Sequence, residues 1–67
     1  MSVVRVTKIA SSSTKSFEDA VRVGIDRASE TLDNIEGAWV QGQKVVVKNG
    51  AISEYRVSME ATFILNA

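Results

Sequence analysis

A strand, a helix and two further strands, in the order β-α-β-β, make up the α+β domain that this sequence predicts. Three observations point there. From Phe17 onward, apolar residues recur every three or four positions, the spacing of one helix face. From Tyr55 to Leu65 they recur every second position, the spacing of one strand face. Just upstream of that last strand stands Asn49-Gly50, a favoured pair for two-residue hairpin turns, in which both positions need positive φ.

The first strand is VVRVTKIA, residues 3–10, rich in β-branched side chains. SSSTKS follows as a loop of small polar residues. Ser16 and Asp19 then fit a capping box, in which each side chain satisfies a free backbone N–H at the helix start. Phe17, Val21, Ile25, Ala28, Leu32 and Ile35 form the apolar stripe. Glu18, Arg22, Asp26 and Glu30 line another face at i,i+4 spacing, where Glu18–Arg22 and Arg22–Asp26 can pair. The helix is expected to end near Asp33–Asn34, with Gly37 just beyond. AWVQGQKVVV, residues 38–47, reads as the second strand. In the third, Tyr55, Val57, Met59, Ala61, Phe63 and Leu65 share one face, while Arg56, Ser58, Glu60 and Thr62 share the other. Ile64 breaks the alternation.

The third strand must run antiparallel to both others. A central place for it gives a three-stranded antiparallel sheet of strand order 1-3-2, packed on one amphipathic helix, with a right-handed split β-α-β connection. The helix covers one sheet face and leaves the polar face of strand three bare. Both sheet edges stay open to pairing or burial by neighbours.

The 67 residues make one domain, spanning 1–67. A chain of this length buries only about 60% of its unfolded surface and needs help to be stable. With no Cys and no His, disulfides, thiolate metal sites and the commonest zinc ligand are excluded. Assembly with other chains becomes the favoured stabiliser. Eight basic and eight acidic residues cancel, so the basic excess of a nucleic-acid binder is missing. No apolar run reaches the roughly 18 residues of a membrane span. The opening MSVVRVTKIA has no signal-peptide core, and a cysteine-free chain suits the cytoplasm. Neither nucleic acid nor membrane is therefore an expected partner.

Catalytic chemistry finds no foothold. Without His or Cys there is no Ser-His-Asp or Cys-His arrangement, and neither phosphate-binding glycine motif occurs. Asp26 and Glu30 read as a solvated charged face. Asp33 and Glu36 bracket the helix end and carry oxygen ligands suited to a hard cation, but no EF-hand spacing accompanies them. No catalytic residue and no metal site is expected. The local oddity is GAWVQGQ, residues 37–43. In a regular strand Gly37, Trp39, Gln41 and Gln43 face one side. An indole beside amides offers a flat heteroaromatic ligand both stacking and edge hydrogen bonds. The alternative is that Trp39 packs against the helix or against a neighbouring subunit.

VTKIASSSTKSFEDAV, IDRASETLDNI and EYRVSMEATFIL, together with the length and element order, resemble the dodecins. The resemblance covers nearly the whole chain. It implies a hollow shell of twelve identical subunits, a homododecamer with its ligand pockets between subunits. Many dodecins bind flavins there. Two isoalloxazine rings stack between symmetry-related tryptophans, and a glutamine of the last strand bonds the ring edge. Such a protein stores or shields its ligand and is not an enzyme.

Carried over residue by residue, the resemblance departs at the binding positions. Aligned without gaps from TLDNI, the stacking tryptophan falls on Gly37, with Trp39 two places on. The glutamine falls on Arg56, after Tyr55. An arginine found near the C-terminus of some bacterial members falls on Ile64, and another falls on Lys44, where a phosphate contact can survive. The implied cofactor-binding set is Gly37, Trp39, Gln41, Lys44 and Arg56, with flavin (FMN, FAD or riboflavin) the first ligand. The alternative is a flavin-less relative with a structural or calcium-associated role, because Gly37 and Arg56 replace the flavin-contacting pair.

Overall fold

The computed structural model describes residues 3–65. Its elements are β1 (Val3–Ser13), α1 (Phe17–Ser29), β2 (Ile35–Lys48) and β3 (Ala51–Leu65). They form one three-stranded sheet of order β1-β3-β2, with β3 antiparallel to both neighbours. Fold class and strand order are those expected. Asn49 and Gly50 carry φ of 52° and 76°, as the tight turn between β2 and β3 requires.

All three strands are longer than predicted. β1 continues through Ser11, Ser12 and Ser13, which pair with Val57, Arg56 and Tyr55. Their composition reads as loop, but tertiary partners hold them in the sheet. Ser11 Oγ donates to the Ala20 carbonyl at 2.6 Å, and Ser13 Oγ donates to Asp19 Oδ2 at 2.6 Å. At the helix start, Asp19 N–H donates to Ser16 Oγ at 3.0 Å. That is one half of the expected box; the Asp19 carboxylate takes its hydrogen bond from β1. On the helix surface Glu18 and Arg22 pair at 3.5 Å, and Arg27 pairs with Glu30 at 3.7 Å.

α1 stops at Ser29, short of Asp33–Asn34. The Ala28 carbonyl gathers the N–H groups of Thr31 at 3.2 Å and Leu32 at 2.9 Å. Asn34 then adopts φ 61°, and its carbonyl accepts the Ile64 N–H at 3.1 Å. Ile35 therefore opens β2 opposite Phe63 instead of completing the helical stripe. Sheet pairing outweighs helical periodicity here.

The core is small. Ala20, Val57, Met59, Ala61 and Phe63 are buried; Ala20, Val57 and Met59 form one cluster, with Ile9, Phe17, Val21, Ile25 and Val40 packed against it. The Phe17 and Tyr55 rings meet edge-on, centroids 5.1 Å apart, which ties the helix start to β3. Gly24 allows the helix to sit close. A β-carbon built there would lie 2.5 Å from Cε of Met59 and 2.8 Å from Oγ of Ser11.

The chain measures 51 × 20 × 13 Å, with a radius of gyration of 13.8 Å. A compact domain of this length would have about 11 Å. The excess lies in the β2–β3 hairpin. β1 pairs only with Tyr55–Leu65, so residues 51–54 and their β2 partners project as a two-stranded arm. Val47 and Ile52 on that arm are more than half exposed.

Candidate functional site

The bare face of the sheet is set by register. Directly paired residues of an antiparallel sheet share a face. Thr62 pairs with Gly37, Glu60 with Trp39, Ser58 with Gly42 and Arg56 with Lys44. Across β1, the same four β3 residues pair with Val6, Lys8, Ala10 and Ser12. All stand opposite the helix, because Val57, Met59 and Ala61 alternate with them and are buried.

β2 keeps this register only through a bulge. Val40 pairs with Met59 and Gly42 with Ser58, leaving Gln41 as the extra residue. A bulge shifts the alternation by one. Gly37, Trp39 and Gln41 still share the bare face, and Gln41 Nε2 donates to Glu60 Oε1 at 2.8 Å. Gln43 does not join them. It pairs with the buried Val57, so the expected four-residue stripe ends at Gln41.

Trp39 lies on the bare face and is 69% exposed. It does not pack beneath its own helix. Thr62 Oγ1 beside it donates to the Gly37 carbonyl at 3.3 Å. A β-carbon at Gly37 would meet only Thr62 Oγ1, at 3.7 Å, so this position has room for a side chain.

Further along the same face is an open groove of about 540 Å³. Small residues, Ala10, Ser12, Gly42 and Ser58, make its floor, and Lys44, Glu54 and Arg56 supply its charge. A β-carbon at Gly42 would touch nothing within 4 Å, which keeps the floor low. Arg56 Nε donates to Glu54 Oε1 at 2.9 Å. That hydrogen bond, with the nearby positive charges of Arg56 and Lys48 and the Ser12 hydroxyl, holds the Glu54 carboxyl below its ordinary range.

The predicted site residues thus fall into two groups on one face. Gly37, Trp39 and Gln41 cluster with Glu60 and Thr62; Lys44 and Arg56 pair across strands in the groove. Four strand positions separate Trp39's partner Glu60 from Arg56, about 13 Å at 3.3 Å per residue. Sequence reasoning missed Glu54, although it sits two residues before Arg56 and so on the same face. It missed Ser12 because the serine run was assigned to a loop. Ile64 pairs with Val4 at the far end of β3, away from the groove. Among the described residues, no three acidic, His or Cys side chains gather as a metal site would need, and no helix is long and apolar enough to cross a membrane.

Fold and site together define a small α+β domain with a helix-covered core and an open polar sheet face that carries an indole and a guanidinium. The dodecin family profile matches residues 3–66, and the chain belongs to the dodecin family. Dodecins are small-ligand-binding proteins rather than enzymes. Over 63 residues the chain is 33% identical to calcium dodecin of Mycobacterium tuberculosis, covering 94% of this chain and 89% of that protein. The solved dodecin from Streptomyces davaonensis superposes with a TM-score of 0.94 at 33% identity, over 98% of this chain and 97% of the other. The crystal structure of the Mycobacterium tuberculosis protein, described as calcium chelating, gives a TM-score of 0.83 at 32% identity, over 96% and 91% of the two chains.

Proposed function

We propose that this protein is a non-enzymatic storage protein that holds flavin on the bare face of its sheet, at the seams of a hollow homododecamer. The observation that carries the reading is Trp39, the largest ring of the chain, exposed on a polar face beside a charged groove. A soluble domain gains nothing in its own core from a ring so placed, whereas a flat heteroaromatic ring can stack on it. Gly37 leaves space beside it, Gln41 and Arg56 supply edge donors, and Lys44 suits a flavin phosphate. Close stacking on an electron-rich indole quenches an excited flavin, which suits storage and shielding from light.

The two-stranded arm supports assembly. An isolated hairpin is marginal in water, and Val47 and Ile52 are exposed along it. Burial against other copies would supply what the small core lacks. On this reading the protein works in the cytoplasm, with itself and a small molecule as partners.

Titration of riboflavin or FMN with the assembled protein tests the proposal. Fluorescence should be quenched at saturation, and Trp39→Ala should abolish quenching while light scattering still shows the shell. Unchanged flavin fluorescence at saturating protein sinks the flavin reading. A calcium-associated shell is the second reading, favoured by the 33% identity to calcium dodecin. It requires a melting temperature that rises with added calcium.

A further inference from the structure

We infer that Arg56 and Glu54 act as one unit that reads the imide edge of a planar ring, an edge presenting carbonyl, N–H and carbonyl in a row. The inference rests on the flavin reading and sharpens it, since the pyrimidine-dione end of an isoalloxazine has that edge. An arginine alone reads it incompletely, because a guanidinium only donates. The ring N–H would face no acceptor, and leaving a donor unpaired in a closed site is costly.

The structure places an acceptor beside it. Arg56 Nε is committed to Glu54 Oε1 at 2.9 Å. Among the described residues, the terminal amino groups of Arg56 make no hydrogen bond within the chain, so they are available to donate to a ligand. Glu54 is ionised, and a carboxylate accepts at about four lone-pair positions, of which the Arg56 bond uses one. Both side chains line the groove, whose floor of Ser12, Gly42 and Ser58 admits a flat ring. Both rise from the same face of β3, two residues apart, so their spacing is fixed by the strand. Glu54 therefore has two roles: it aims the guanidinium, and it accepts the imide proton. The pair presents donor and acceptor side by side, as an amide side chain would, with charge-assisted bonds that are stronger than neutral ones.

Paired titrations of riboflavin and N3-methylriboflavin test this, since methylation removes the imide donor and keeps the ring. Wild-type protein should bind the methylated ligand at least tenfold more weakly. Glu54→Ala should weaken riboflavin at least tenfold and bind the two ligands alike. Glu54→Gln, which keeps a neutral acceptor, should recover part of the loss. If wild-type protein binds both ligands equally, or Glu54→Ala keeps full riboflavin affinity, the inference falls and the flavin reading stands. If riboflavin fluorescence is unchanged by wild-type protein, both fall.

Discussion

Val57, Met59 and Ala61 of β3 are at most 1% exposed, whereas Ser58, Glu60 and Thr62, one position out of step, face away from the helix. Of the first set, Val57 and Met59 cluster with Ala20 of α1 and fill the core. The second set meets no layer at all, yet it is flanked by the largest ring and most of the paired charge of the sheet. In a domain with a single helix, one sheet face must hold the fold together. The other is then free of that demand, and its side chains are not constrained by packing against the helix.

Substitutions on the two faces should separate these roles. Met59→Ala should cost about 2–5 kcal/mol of stability, the range for emptying a buried methionine site, read as a lowered urea midpoint. Trp39→Ala should leave that midpoint nearly unchanged, and an equal loss from both would erase the distinction. Ser16→Ala removes the hydroxyl that accepts the Asp19 N–H. It should cost about 1 kcal/mol, visible as a lower thermal midpoint, with flavin quenching retained. Gly37→Trp acts on the bare face alone. The open position should accept the ring without loss of stability. A second stacking partner worth about 0.5–1.5 kcal/mol should tighten flavin binding roughly two- to twelvefold, as measured by titration. Unchanged flavin affinity in a folded Gly37→Trp protein would show that the ligand does not lie on this part of the bare face.

The same contrast explains what was legible in the sequence. β3 could be read from Tyr55 onward, because a strand with one covered face must alternate, and Asn49-Gly50 marked the turn before it. The covered side of α1 was read in part. Ala20 and Gly24 are its two buried residues, but small side chains add little to an apolar pattern. Gly24 is needed for the room it leaves to Met59, which no periodicity reports. Ser11–Ser13 were hidden because their partners, the Ala20 carbonyl and the Asp19 carboxylate, lie on the helix. On the bare face, Trp39 and Arg56 could be placed by parity. The Lys44–Arg56 pairing and the departure of Gln43 depend on the bulge at Gln41, and composition does not locate a single inserted residue. Glu54 was within reach of simple alternation. It was overlooked because the third strand was read from Tyr55 onward.

The smallest expected effect concerns pH. The bond from Arg56 holds the Glu54 carboxyl below its ordinary value, aided by the positive charges of Arg56 and Lys48 and the Ser12 hydroxyl. A carboxylate with a depressed pKa in the folded state stabilises that state fully above its unfolded value, about 4.3 for glutamate. The contribution is lost as pH falls through the lower, folded value. Both partners are solvated and screened, so the effect on stability should be slight, and it should shrink further in high salt. Ligand binding should respond more than stability does. Once Glu54 is protonated it releases Arg56 and gives up a charged acceptor, while the helix-covered core is untouched. Riboflavin affinity should therefore hold from neutrality down to the ordinary glutamate range and fall below it, with the shell still intact by light scattering. Glu54→Gln should flatten that profile. A profile equally steep in the variant would show that Glu54 does not carry the pH dependence.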